Sequence, residues 1–119
     1  MGLREIHYQN MTKIFDDGHL EATLYPNGWV FCRWINQNGR LNKTLIKDLN
    51  DIERYIFAKK FHGWFTDSEL IHKDFHRLLI KFGCLPREIV GDYLRFTKPI
   101  RNVGDLHQKV GGNYVRVPA

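Results

Sequence analysis

Apolar positions along the chain change period several times, and each change marks an element. Leu20, Ala22 and Leu24 alternate with Glu21 and Thr23, the two-residue period of a strand with one buried side. Pro26, Asn27 and Gly28 then supply turn chemistry for a hairpin. Residues 29–35 return as an almost continuous apolar and aromatic run, which predicts a central strand covered on both faces. Further on the period lengthens. Leu45, Leu49, Ile52 and Ile56 fall at helical spacing, and Ile46 and Phe61 widen the stripe. Asn42 or Thr44 caps this helix, and Lys47, Asp48, Asp51, Glu53 and Arg54 are expected to face water.

The following stretch carries the clearest signals. A short strand over residues 62–66 leads into Thr66-Asp67-Ser68-Glu69, where Thr66 and Glu69 have the spacing of a capping box. Ile71, Phe75, Leu78, Leu79 and Phe82 form a second helical stripe, with Lys73, Asp74, Arg77 and Lys81 outward. Gly83 sits where a left-handed C-cap is wanted, and Pro86 bars continuation. Two strands, over residues 87–90 and 92–97, hinge at Gly91. Residues 1–18 fit a helix and a strand equally well and close in an Asp16-Asp17-Gly18 turn. The order hairpin, helix, strand, helix, strands predicts one α/β (α+β) domain over residues 1–100. Its core is a small mixed sheet flanked by two main helices, with a strand–helix–strand crossover between residues 29 and 65.

Residues 101–119 change character. Gly104, Gly111, Gly112 and Pro118 break any long element, and apolar residues thin out apart from Tyr114, Val115 and Val117. An extended arm, a final edge strand and disorder are the three readings. An arm that docks on a partner through Tyr114, Val115, Arg116 and Val117 uses the alternation an added strand needs.

Composition narrows the class. Hydrophobic residues at 43% and charged residues at 26% are globular values and argue against wholesale disorder. The net charge of +5 is spread without a block of like charges. Cys32 and Cys84 lie in apolar runs and read as core residues of a reducing compartment, not a disulfide. No apolar stretch reaches the roughly 18 residues of a membrane span, and no signal-peptide core opens the chain, so a cytoplasm is expected.

The unit built on Trp64-Phe65-Thr66, on residues 76–84 ending Lys81-Phe82-Gly83-Cys84, and on residues 93–98 ending Phe96-Thr97-Lys98 resembles the second half of the GNAT superfamily of N-acetyltransferases. The likeness spans residues 42–98 and is nearest to the short, divergent GNAT-like proteins of tailed bacteriophages, some of them virion components. The resemblance implies acetyl-CoA as cofactor, its diphosphate held by a Q/R-x-x-G-x-G/A turn through backbone amides and a helix dipole. That turn falls at Asn36-Gln37-Asn38-Gly39-Arg40-Leu41. Gly39 matches the first glycine, and Arg40 and Lys43 supply charge. Asn36 replaces the Gln/Arg, and Leu41 puts a bulky side chain where phosphate must come close. A GNAT-type reaction also needs a base for the amine and an acid for the leaving thiolate. Glu21, Glu69 and the histidines are the candidate bases and Tyr93 the candidate acid. Each also has a plain structural reading: Glu21 as strand surface, Glu69 as helix cap, Tyr93 as a strand residue.

Two function readings follow from the resemblance and its departures. The first is a non-catalytic GNAT-fold module, of phage origin, that needs no cofactor and binds virion or host proteins in the host cytoplasm or the virion. The second is an acetyl-CoA-dependent N-acetyltransferase with a degenerate loop. A third rests on the residues alone: Tyr25, Trp29, Phe31 and Trp34 lie near Arg33, and Trp64 and Phe65 near Lys59 and Lys60. Such interleaving occurs on single-strand nucleic-acid surfaces, although no RNP-like motif accompanies it. His72 and His76 have metal-ligand spacing but no third ligand, and a solvated helix face is expected there. Cys84 lies at a helix C-terminus, where the dipole disfavours a thiolate.

Overall fold

The computed structural model describes residues 11–35 and 43–107, the side chains of residues 43–45 excepted. β1 (Thr12–Asp16), β2 (Leu20–Leu24) and β3 (Trp29–Trp34) form an antiparallel meander. Asp17 folds the first turn, its Oδ1 accepting from the amides of His19 and Leu20. Asn27 folds the second, accepting from Trp29 N, with Gly28 at φ 88°. α1 (Lys43–Lys59) carries the chain over the sheet to β4 (Gly63–Glu69), which lies parallel to β3. α2 (Lys73–Lys81) returns it, and β5 (Leu85–Val90) and β6 (Tyr93–Pro99) form a hairpin through Gly91. β6 inserts next to β4, so the sheet runs β1-β2-β3-β4-β6-β5. This is the mixed sheet with two helices that the periodicity predicts.

The pleat sorts the sheet into two sides. Leu20, Ala22, Val30, Cys32, Trp34, Trp64, Thr66, Ser68, Phe96 and Lys98 share one side by register, and all are buried. α1 adds Leu49, Ile52 and Ile56 to that core, and α2 adds Phe75 and Leu79. Phe75 meets Trp34 edge-on at 5.3 Å. Gly83 ends α2 as expected: at φ 97° it donates to Ile80 O, and Cys84 N reaches back to Leu79 O, the paired bonds of a Schellman cap.

Several expectations change. Both described helices pack on one side, so among the described residues no helix covers the other face of β3: Phe31 is half-buried and Arg33 exposed. The capping box does not form, because β4 runs on to Glu69 in register with β6. Thr66 Oγ1 instead donates to the Cys32 carbonyl at 2.7 Å, and α2 starts after His72 with no side-chain cap. Ile71 therefore precedes the helix and is 75% exposed. Asp48 and Glu53, expected in water, are buried; their partners are described below. Residues 101–107, placed with the arm by sequence, close the core: Leu106 is buried behind a 3-10 turn, Val103–Asp105. The Asp105 carboxylate accepts from the amides of Arg101 and Asn102, which fixes that turn.

Candidate functional site

β3 and β4 pair only at Trp29↔Gly63, Val30↔Trp64 and Phe31↔Phe65. Beyond Phe31 the two parallel strands part, with the Thr66 hydroxyl bridging to Cys32 at the fork. The gap widens into a cleft of about 410 Å³ whose polar wall is Arg33, Asp67, Glu69 and Tyr93. The carboxyl ends of parallel strands are where α/β sheets hold ligands.

Register brings two sequence candidates together. Glu69 and Tyr93 are direct cross-strand partners of β4 and β6, and both line the cleft. Glu21 does not line it. Its Oε1 accepts from Arg33 Nε at 3.0 Å and Nη2 at 2.7 Å, and its Oε2 from Lys13 Nζ at 3.1 Å. Those partners, Arg33 first, hold the Glu21 carboxyl below its ordinary value. Asp67 is held as well, in a two-pronged pair with Arg95 at 2.8 and 2.9 Å. Arg95 also lies over the Phe65 ring at 5.0 Å. Gly39, Arg40, Tyr114, Val115, Arg116 and Val117 lie outside the described residues; Lys43 begins α1, its side chain likewise outside.

Both thiols are enclosed. Burial pushes the Cys32 thiol well above its usual range and that of Cys84 up to about 12, so neither supplies a thiolate. His76 Nε2 lies 3.0 Å from the Glu69 carbonyl, and its ring packs on Phe96. Among the described residues no three His, Cys, Asp or Glu side chains gather as metal ligands. No helix among them is long and apolar enough to cross a membrane.

Two features were not singled out in the sequence. The first is a buried ion pair between Glu53 on α1 and Lys98 on β6. Glu53 Oε2 accepts from Lys98 Nζ and from Trp64 Nε1, each at 2.7 Å, and Oε1 accepts from His107 N at 2.7 Å. Burial raises the Glu53 carboxyl above its ordinary value, against the pull of Lys98. Gly83 gives the lysine room, since a Cβ there would come within 3.1 Å of Lys98 Cε. The pair ties α1, β4, β6 and the chain after the 3-10 turn together. The signal was present: Glu53 falls four residues after Leu49 and one after Ile52, inside the apolar stripe.

The second feature is the outer edge of the sheet. All six residues of β5 are exposed, among them Leu85, Ile89 and Val90, with Ile89 at 65%. Leu70, Ile71 and Tyr93 are exposed next to its far end, where Leu70 N donates to Asp92 O. Pro86 and a bulge between Pro86 and Glu88 interrupt the first half of the strand, and among the described residues the second half has no strand on its outer side.

Comparison with protein-family models, curated proteins and solved structures found no match for this chain.

Proposed function

We propose that this chain is a non-catalytic interaction module of GNAT-like type that binds a protein partner, from a virion or a host cell, along the β5 edge. The observation that carries the reading is the exposure of Leu70, Ile71, Ile89, Val90 and Tyr93 at one end of an open edge strand. Large apolar side chains gathered in one place mark contact surfaces, and an edge strand offers unpaired amides and carbonyls beside them. The forked parallel pair and the hairpin turned back against β4 support the resemblance. That Glu21 and Asp67 are committed to ion pairs supports the non-catalytic side of it. The test compares the wild-type chain with Ile71→Asp/Ile89→Asp as bait against virion and host-cell proteins. Both side chains are mostly in water already, so the variant keeps its melting temperature. A partner retained by the wild type and lost by the variant is expected; equal capture by both removes the edge from the reading.

One observation favours a second reading, an acetyl-CoA-dependent N-acetyltransferase: Glu69 and Tyr93 face each other on the cleft at the fork. A ligand of the native state raises its melting temperature. Under the first reading, millimolar acetyl-CoA leaves the melt unchanged. A rise of several degrees that vanishes in Arg40→Ala/Lys43→Ala establishes the second.

A further inference from the structure

Another cavity lies at the other end of the sheet, where α1 stops and β3 and β4 begin. It measures about 810 Å³ and is walled by Trp29, Phe57, Phe61 and His62, with Lys60 and Arg101 supplying charge. Among its described lining residues there is no carboxylate. Aromatic faces with cations and no anion among the lining residues match a ligand that is itself flat and negatively charged.

The walls are held in place. His62 N donates to Gly28 O at 2.9 Å, and Ile100 N donates to His62 O at 3.0 Å. The imidazole lies against the hairpin turn so closely that a Cβ on Gly28 would come within 2.6 Å of it, and a Cβ on Gly63 would come within 2.9 Å of the Trp29 ring. Gly28 thus makes room for the imidazole, while Gly63 answers first to the β6 backbone at Lys98 O and only then to the Trp29 ring; the two ring centroids stand 6.3 Å apart at 38°. Lys60 takes the left-handed position after α1, at φ 61°, where Phe61 N reaches back to Ile56 O. Glycine is the usual occupant of that position, and Lys59 already answers the helix dipole. A lysine kept there against its backbone preference points to a use for its side chain.

The cavity also continues. Pro99 and Arg101 line a neighbouring cavity of about 460 Å³, which has Lys81 on its rim. In that second cavity Lys98 is paired with Glu53, and the Asp105 carboxylate accepts hydrogen bonds from the amides of its own turn. Lys60, Arg101 and Lys81 are exposed cations spread over two adjoining hollows that share Pro99 and Arg101. We propose that this face binds single-stranded nucleic acid, one base entering against Trp29 and His62 while successive phosphates run along Lys60, Arg101 and Lys81. Stacking and backbone charge together are the mode of sequence-tolerant strand binders. The inference does not depend on the β5 edge or on the cleft.

The experiment is a fluorescence titration of the full chain with a short oligothymidylate, with adenosine monophosphate and inorganic polyphosphate as comparison probes. Trp34 and Trp64 are buried, so quenching reports on Trp29. The expected result is quenching by the oligonucleotide at low salt, with affinity falling as salt rises at a log–log slope of about −2 for three phosphate contacts. Lys60→Glu and Arg101→Glu are each expected to weaken binding and lower that slope by about 0.7, with unchanged melts. Should Lys60→Glu disturb the helix end, Arg101→Glu, on an exposed residue, carries the test alone. Adenosine monophosphate binding as tightly as the oligonucleotide overturns the strand reading. Polyphosphate binding equally well, binding untouched by both variants, or no binding of the oligonucleotide at low salt overturns the proposal outright.

Discussion

Replacing Lys98 by Met tests the buried ion pair with little change in shape. Met follows the same unbranched path past Gly83 and the Phe82 ring, 5.5 Å from the lysine nitrogen. What disappears is the cation. Glu53 keeps Trp64 Nε1 and His107 N as donors but loses its only countercharge described there, in a site where its own exposure is 0%. Removing one partner of such a pair costs about 3–5 kcal/mol, a large part of the roughly 5–15 kcal/mol that holds a domain of this size together. The assay is urea unfolding followed by the fluorescence of Trp34 and Trp64. The midpoint is expected to fall with the slope unchanged. The double variant Glu53→Gln/Lys98→Met, which removes the charge but keeps an acceptor, is expected to recover about half of the loss or more. Acidity supplies a second readout. A carboxyl whose folded-state value is raised gives stability at low pH that is lost as pH rises through that value. With Lys98 gone the main force opposing the rise is gone too, so the deficit of Lys98→Met shrinks as pH falls toward the ordinary value of 4.5. A Lys98→Met protein within about 1 kcal/mol of wild type at neutral pH would refute the ionised pair, since removing a real countercharge from a buried carboxylate is a costly change.

Asp48 gives a pH effect from a different cause. Burial first, and then the neighbouring Asp17 carboxyl, raise it from 3.8 to about 6. The protein is therefore expected to lose about 1–3 kcal/mol as pH climbs through that window. Asp48→Asn, which can donate to Asp17 as the protonated acid does, is expected to abolish the slope and melt higher above about pH 6; parallel wild-type and variant curves would count against a shared proton. Phe75→Ala empties the contact with Trp34 under α2 and is expected to cost about 3–5 kcal/mol in the same urea assay. A near-neutral result would mean that α2 does not rest on the sheet through this side chain.

What could be read from the sequence was local, and what could not was settled by residues far along the chain. Leu49, Ile52 and Ile56 disclose the buried side of α1 by spacing alone, and Gly83 discloses the end of α2, because each signal is contained within a few turns of backbone. Thr66-Asp67-Ser68-Glu69 misled because capping chemistry and a polar strand use the same residues. The choice was made by β6, which pairs Asp67 with Arg95 and Glu69 with Tyr93. The same register put Glu69 and Tyr93 on one cleft, so the candidate site was legible as residues but not as a place.

Asp48 and Glu53 differ from expectation for a related reason: their residue type and their helical position point opposite ways. Measured from Leu49, Ile52 and Ile56, Asp48 lies four residues before Ile52, and Glu53 four residues after Leu49 and three before Ile56. That is helical spacing to the stripe in both cases. Lys47 and Asp51 lie off that stripe, are exposed, and pair with each other across one turn. Position thus predicts burial correctly for these four of the five charged residues, and type for only two of them; the fifth, Arg54, is half-buried. A charged residue inside an apolar stripe is better read as buried with a partner still to be found. For Glu53 that partner is Lys98, and for Asp48 the neighbour is the Asp17 carboxyl, which adds to burial in raising it. Neither lies within the helix that displays the pattern, and this is why the pattern announces the pairing without naming it.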